Sequence, residues 1–351
     1  VESVVTRDFW RGRRVLVTGH TGFKGAWLSL WLEMLGAEVA GFALPPHTSP
    51  SLFTAAQPRL HAFTGDIRDG EAVARAVAAS DPEIVFHLAA QSLVRCSYRD
   101  PVETIAVNVT GTAVALNALR AAKNLRAVVV ATTDKVYRNL DDGRPFREDD
   151  PLGGHDPYSA SKAAAELVTA AMADSFLDAP VATARAGNVI GGGDWSEDRI
   201  VPDIWRAAKS DTPLTLRHPD ATRPWQHVLD PLNGYLLYAE RLAADADVPR
   251  ALNFGPLPGT ALTVGEVADV MLASLGAECR WQRADEPGPR EMKLLALDPA
   301  QAIAALGWRP QLEARTALAW TADWYRRFDG GADARALCRE EIARFAERVA
   351  A

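Results

Sequence analysis

One stretch constrains this chain more than any other: Val15-Leu16-Val17-Thr18-Gly19-His20-Thr21-Gly22-Phe23-Lys24-Gly25. An apolar run enters it, three glycines follow at a spacing of three, and an apolar segment of helical length leaves it. The first glycine permits a sharp turn, the second removes a Cβ where a pyrophosphate must come close, and the third lets the helix pack against the strand. The start of that helix offers unpaired N–H groups and the positive end of the helix dipole to an anion. Gly19, Thr21, Gly22, Phe23, Lys24 and Gly25 are therefore expected to cradle the diphosphate of a dinucleotide, with an ordinary strand-to-helix loop as the alternative.

The rest of the chain can be placed relative to that turn. Ala26 to Leu35 is apolar around most of its circumference, as in a helix lying on a sheet, and Gly36 ends it. Glu38 to Ala43 reads as a second strand, completing a strand–helix–strand unit. An acidic residue at the end of that strand would bind a ribose 2′-hydroxyl and select NAD. Here the position holds Leu44-Pro45-Pro46-His47, so the choice between NAD and NADP stays open.

Gly65-Asp66-Ile67-Arg68-Asp69 precedes a helix at Glu71 to Ala79; Asp66 and Ile67 are expected beside an adenine, or Asp66 serves as a helix cap. Glu83 to Ala90 reads as a buried parallel strand that runs into the small residues Leu88-Ala89-Ala90 and Gln91, where backbone can approach a cofactor. Pro101 to Ala122 is expected to form one long helix, and Arg126 to Thr132 another strand ending in Thr133-Asp134-Lys135 on the ligand side of the sheet. Asp134 and Lys135 read either as an ion pair or, as strand neighbours, as groups pointing to opposite faces.

Tyr158 and Lys162 stand one helical turn apart in the helix opened by Pro157 and continued through Ala163 to Phe176. A neighbouring ammonium stabilises a phenolate, and a tyrosinate can accept a proton from a sugar hydroxyl as hydride leaves. A solvent-facing pair is the alternative, and the glycine turn upstream argues against it. Val181 to Ala186 is a further strand, and Gly187 to Trp195 a loop too rich in glycine for regular structure. Arg199, Arg217 and Arg223 follow closely and could clamp a diphosphate by forked hydrogen bonds, or lie on the surface. Trp225 to Arg241 is read as a return segment and helix, Leu252 to Gly255 as a strand, and Thr263 to Leu275, Ala300 to Leu306 and Ala314 to Arg327 as helices.

Composition narrows the partners. With 351 residues, 48% of them hydrophobic, the chain can bury a large core in two lobes. Its net charge of -7 argues against nucleic acid or an anionic membrane, so phosphate must be met by locally placed arginines. No run of 18 apolar residues spans a membrane, and the charged first 14 residues contain no apolar signal-peptide core. Cys96, Cys279 and Cys338 are too far apart for redox or zinc spacing, which points to reduced thiols in a cytoplasm. The seven histidines form no metal-binding pattern, so no metal is expected. The expected architecture is α/β, a doubly wound parallel sheet with a smaller substrate-binding lobe: residues 1–187 and 225–256 for the dinucleotide, 188–224 and 257–351 for the other ligand.

Taken together, Thr18-Gly19-x-x-Gly22-x-x-Gly25, Tyr158-x-x-x-Lys162 and Arg185-Ala186-Gly187-Asn188 resemble the extended short-chain dehydrogenase/reductases that act on nucleotide sugars. Within that group, Gly19 to Gly25, Pro50-Ser51-Leu52-Phe53, His87 to Gln91, Thr133-Asp134-Lys135, Gly153 to Tyr158, Gly191 to Trp195 and Arg223-Pro224-Trp225-Gln226-His227 resemble the CDP-glucose 4,6-dehydratases. Related dehydratases carry Asp-Glu where this chain has Asp134-Lys135, and Pro-His-Glu where it has Pro289-Arg290-Glu291.

The resemblance implies a bound NAD and a nucleoside-diphosphate hexose, CDP-glucose in the narrower case. It further implies C4 oxidation with Tyr158 as base and Lys162 tuning it, loss of water across C5 and C6 with Asp134 as acid and Lys135 handling the C5 proton, and hydride return to C6. Thr132 and Thr133 would flank these groups, and Asn188, Arg199, Arg217, Arg223, Gln226 and Arg290 would hold the sugar nucleotide. A homodimer through the helices Pro101 to Ala122 and Ala163 to Phe176 is also implied. A nucleotide-sugar 4-epimerase would share the turn and Tyr158–Lys162 without needing Asp134-Lys135. A non-catalytic dinucleotide sensor would need the turn alone.

Overall fold

The computed structural model describes residues 5–244, 247–257, 259, 261–285 and 295–351. Seven strands form one parallel sheet: β1 Arg14–Thr18, β2 Glu38–Ala43, β3 His61–Thr64, β4 Ile84–His87, β5 Ala127–Ala131, β6 Val181–Ala186 and β7 Ala251–Phe254. Their spatial order is β7-β6-β5-β4-β1-β2-β3. This is the doubly wound arrangement that the alternation of strands and helices predicts. Strands β4 and β5 are buried on both faces, which is why they read as near-continuous apolar runs rather than as alternating patterns. The order reverses beside β1, where β2 lies on one side and β4 on the other. Such a switch point opens a crevice at the carboxyl ends of the strands, and the glycine turn leaves β1 at that end.

The helix Phe23–Leu35 ends as expected at Gly36, whose left-handed backbone lets its N–H reach the carbonyls of Leu32 and Glu33. At the other end, a Cβ on Gly25 would sit 2.1 Å from the Gly19 carbonyl oxygen, so only glycine lets the helix lie this close to the turn. Three expectations need correction. The helix opened by Pro101 is not regular to Ala122: it ends at Leu119 and carries a π-helical turn at Ala106–Thr110. Its buried Asn108 side chain bonds to the loop after β4 and to the helix Pro157–Phe176. The stretch Gly187 to Trp195 is not wholly irregular, because Val189–Ile190 pairs in parallel with Gln226–His227. The triple glycine instead serves packing, with Gly192 so close to Trp324 that a Cβ would come within 2.1 Å of the ring.

The third correction concerns Asp134 and Lys135, which lie not on a strand but in a short 3₁₀ turn, Asp134–Val136. They do not point apart: Lys135 Nζ is 3.3 Å from Asp134 Oδ1. An unanticipated helix, Ala334–Ala350, returns to the flank of the sheet, where Phe345 packs edge-on against Trp31 and Arg335 pairs with Glu33. Of the described helices, Pro101–Leu119 alone has the length and apolarity to cross a membrane, and about half of it is buried against the rest of the chain.

Candidate active site

A cavity of about 1020 Å³ lies at the carboxyl ends of the strands. Its lining includes every residue of the expected cradle (Gly19, Thr21, Gly22, Phe23, Lys24 and Gly25), together with Asp66, Ile67 and Leu88 to Gln91. A Cβ built on Gly22 would meet nothing nearer than the Gly19 oxygen at 3.4 Å, so this glycine leaves room on the cavity side. Gly22 caps the helix Phe23–Leu35 without any side-chain bond, and the first turn carries no acidic residue. Those open N–H groups and the missing Cβ fit a dinucleotide diphosphate.

Asp66 is not the helix cap; that role falls to Asp69, which accepts from Ala72 N. Arg68 grips both Asp66 oxygens at 2.9 and 2.6 Å and holds the carboxyl below its usual range. Past β2 the wall is Leu44, Pro45 and His47, with no carboxylate, and Thr21 donates its hydroxyl to the Leu44 carbonyl.

Across the cavity stand Thr132, Thr133, Lys135, Tyr158 and Lys162. Tyr158 and Lys162 belong to the helix Pro157–Phe176, whose start is fixed by Pro157 in the first turn and by Asp156, which accepts from Ser159 N. A second brace comes from Ser97, whose hydroxyl accepts the Tyr158 N–H at 3.1 Å. Ser161 donates to the Tyr158 carbonyl and accepts from Asn108, tying this helix to the π-helical turn. Asn108 also exchanges two hydrogen bonds with the Gln91 backbone. The Lys162 ammonium donates to the Ala131 carbonyl at 2.8 Å.

Burial dominates the electrostatics here. It raises Tyr158 to about 12 against the opposing pull of the Thr133 hydroxyl and Arg199, and lowers Lys162 to about 8 against the pull of Glu166. Lys24 falls to about 7 through burial first and then through Arg199 and Lys162. Lys24, Lys135, Lys162 and Arg199 thus bring cationic side chains to the cavity from more than one side, a field suited to an anionic ligand.

Asp134 is completely buried behind that wall: its Oδ1 accepts from Thr133 at 2.9 Å and Lys135 at 3.3 Å, while its Oδ2 has no partner. The three expected arginines all line the cavity, along with Asn188. Arg199 is 3.3 Å from Asp194 and donates to Ser92, Arg217 is 3.9 Å from Asp198, and the buried Arg223 donates to its neighbour's carbonyl. Gln226 is not brought to the cavity, since its amide donates to Phe254 O in the interior. Arg290 lies outside the described residues. Among the described residues, no group of His, Cys, Asp or Glu could hold a metal ion.

Sequence reasoning gave no role to Ser97, Asn108, Asp156, Glu166 and Arg185, although Asp156 and Arg185 stand in motifs that carry the family resemblance. The Asp156-Pro157 pair is a helix-start signal that could have been read, and Glu166 follows Lys162 at helical spacing. Nothing in an apolar helix announces a π-helical turn at Asn108.

Comparison with known proteins adds three findings. The family described as GDP-mannose 4,6 dehydratase matches residues 16–320. A CDP-glucose 4,6-dehydratase of Salmonella typhimurium is 43% identical, over 97% of this chain and 98% of its own. Among solved structures, a dTDP-glucose 4,6-dehydratase of Streptomyces venezuelae with NAD and TYD bound is 28% identical with a TM-score of 0.75, covering 91% of this chain and 98% of its own. A UDP-glucose 4-epimerase of Thermus thermophilus in complex with NAD is 28% identical with a TM-score of 0.76, covering 89% and 99%.

Proposed function

The chain belongs to the GDP-mannose 4,6-dehydratase family, and from that premise we propose that it is an NAD-dependent lyase converting CDP-glucose to CDP-4-keto-6-deoxyglucose. The observation that carries the reading is the meeting, in one cavity, of an anion cradle at Gly22, a Tyr158–Lys162 pair, Thr133 and Lys135, with Asp134 buried behind the wall against Lys135. The 43% identity to a CDP-glucose 4,6-dehydratase supports the cytidine nucleotide. Residues 1–187 with 225–256 carry the cofactor, and 188–224 with 257–351 the sugar nucleotide.

Gly19 to Gly25 would hold the cofactor diphosphate, Asp66 and Ile67 its adenine end, and Leu88 to Gln91 with Thr132 and Lys162 its nicotinamide end. When bound, NAD supplies a hydride acceptor that is also the donor later in the same turnover, so the reaction has no net redox change. Tyr158 takes the proton of the C4 hydroxyl as a phenolate, having first lost its own proton to solvent; burial opposes that ionisation, while the Thr133 hydroxyl, Arg199 and the Lys162 ammonium one helical turn away favour it. The resulting C4 ketone acidifies the hydrogen on C5. One proton passed from the Lys135 ammonium to Asp134, 3.3 Å away, leaves an amine on the cavity wall that takes the C5 proton and a carboxylic acid that gives its proton to the C6 oxygen as it leaves as water, which restores the pair. Thr133 donates to Asp134 and lies beside Tyr158, so it fixes the spacing of the two half-reactions. Arg199, Arg217 and Arg223 hold the diphosphate and Asn188 the sugar side.

A 4-epimerase could use Tyr158 and Lys162 but has no use for an acid and base aimed at C5 and C6, and the Asp134–Lys135 turn weighs against it. The exposed Val102, Ile105, Leu167 and Phe176 give the helices Pro101–Leu119 and Pro157–Phe176 an apolar outer face suited to a second copy of the chain. Three unpaired thiols fit a cytoplasmic location. The test is incubation with CDP-, UDP- and dTDP-glucose, with the product identified by mass and proton NMR. A 4-keto product lighter by one water, formed fastest from the CDP sugar, is expected. A C4 epimer of unchanged mass would contradict the reading.

A further inference from the structure

Behind Lys162 lies an ionised pair that the reaction itself does not use. Glu166 stands one helical turn beyond Lys162 and is 5% exposed; Arg185, on β6, is 4% exposed. The Glu166 carboxylate accepts four hydrogen bonds: from the Thr132 hydroxyl at 2.5 Å and Arg185 Nε at 3.0 Å on one oxygen, from the Thr183 hydroxyl at 2.7 Å and Arg185 Nη2 at 2.8 Å on the other. Arg185 donates further to the Tyr137 hydroxyl and the Glu148 carbonyl. A buried ion pair is weak evidence of stabilisation, because desolvation offsets most of the attraction. Its place in the fold is more informative. Thr132 directly follows Ala131, whose carbonyl receives the Lys162 ammonium, and directly precedes the Thr133–Asp134–Lys135 turn.

We propose that Glu166 is a positioning residue for this reaction: its carboxylate locks the end of β5 to the catalytic helix and keeps Lys162 an ammonium where that side chain is buried at the cavity wall. The inference rests on the role given to Lys162 above. Burial draws the Lys162 ammonium down to about 8, and Glu166 is the group that opposes the fall. The other titratable groups around Lys162 give no such help. His87, from β4, is held neutral by burial and by Lys162 itself, at about 3. Lys24, from the glycine turn, is a second cation; Tyr158 is a phenol; and Asp134 is already engaged by Lys135. Arg185, the remaining neighbour of Glu166, is positive and is held so by the pair.

The test reads Lys162 directly. Full-length protein carrying ¹³Cε-labelled lysine is titrated by NMR, with Lys162→Met identifying the resonance, for the wild type, Glu166→Gln and Thr183→Val. Glu166→Gln should move the Lys162 titration down by about one pH unit, the scale of losing a nearby opposite charge. The alkaline limb of the kcat profile with CDP-glucose should move with it, while KM stays within about twofold. Thr183→Val removes one hydrogen bond and no charge, so it should lower the melting temperature without moving the titration. If Glu166→Gln does not fold, Glu166→Gln with Arg185→Met replaces both charges, and the Lys162 titration should still move down, though by less, because the Arg185 charge that opposed the ammonium is lost with it. An unmoved Lys162 titration in a folded charge variant would overturn the proposal, as would an equal shift in Thr183→Val. Because the titration needs no turnover, a wild type inactive on every sugar nucleotide would count against the reaction and not against Glu166.

Discussion

The two sides of the cavity are built differently. On the Tyr158 side, the functional groups are braced by the buried side chains of Ser97 at the helix start, Ser161 and Asn108 beneath it and Glu166 beyond Lys162, and by the half-buried Asp156 cap. On the side of Arg199 and Arg217, the guanidinium groups are half-exposed and meet carboxylates of their own segment, Asp194 and Asp198, at 3.3 and 3.9 Å. The first arrangement fixes geometry before any ligand arrives, as proton transfer requires. The second leaves charges that can exchange a carboxylate for a diphosphate, as binding requires. Substitutions should therefore separate, with the braced wall governing kcat and the arginine side governing KM.

The largest effect belongs to Tyr158→Phe, which removes the phenol oxygen placed beside Thr133; turnover of CDP-glucose should fall by about 10⁴-fold, the upper range for one acid–base group, with CDP binding by calorimetry unchanged. Asp134→Asn should be milder and divide the reaction. Overall turnover should drop by about 10²–10³-fold, while the C4 oxidation, followed as a rapid absorbance change in a single turnover, persists. Loss of both steps together would mean that the buried Asp134 serves the geometry of the wall rather than C6. On the opposite side, Arg217→Ala should raise KM by about tenfold, equivalent to about 1.4 kcal/mol of charge-assisted contact, and leave kcat nearly unchanged. A fall in kcat alone would erase the division between the two sides. Smallest is Ser97→Ala, which strips the acceptor from the Tyr158 N–H: thermal unfolding should report a loss of about 1 kcal/mol and kcat a decrease of severalfold.

The same contrast explains what the sequence disclosed. The cradle was legible because glycine is required there for definite steric reasons, Gly25 against the Gly19 oxygen being the plainest. Tyr158 and Lys162 were legible because helical spacing puts them on one face. The braces were not, because Ser97, Asn108 and Arg185 reach their partners across distances in sequence that no local pattern encodes. Of the two readings of Asp134 and Lys135, the structure shows the ion pair and not the strand geometry: the strand ends at Ala131, and the 3₁₀ turn that follows lets adjacent side chains meet. Gln226 matched a motif yet faces the interior, where its amide serves the backbone of β7. The triple glycine at Gly191 to Gly193 suggested a loose loop, and the structure uses it to admit Val228, Trp324 and Leu52.

The most direct test of the central claim is the fate of one hydrogen. CDP-glucose deuterated at C4 is turned over to completion in ordinary water, and the product is examined by deuterium NMR and mass. If Tyr158 and the Asp134–Lys135 turn act on a single bound sugar, the label must leave C4 and reappear at C6 of the 4-keto-6-deoxy product. Label returned to C4 of a sugar of unchanged mass, or lost to solvent, would contradict the account.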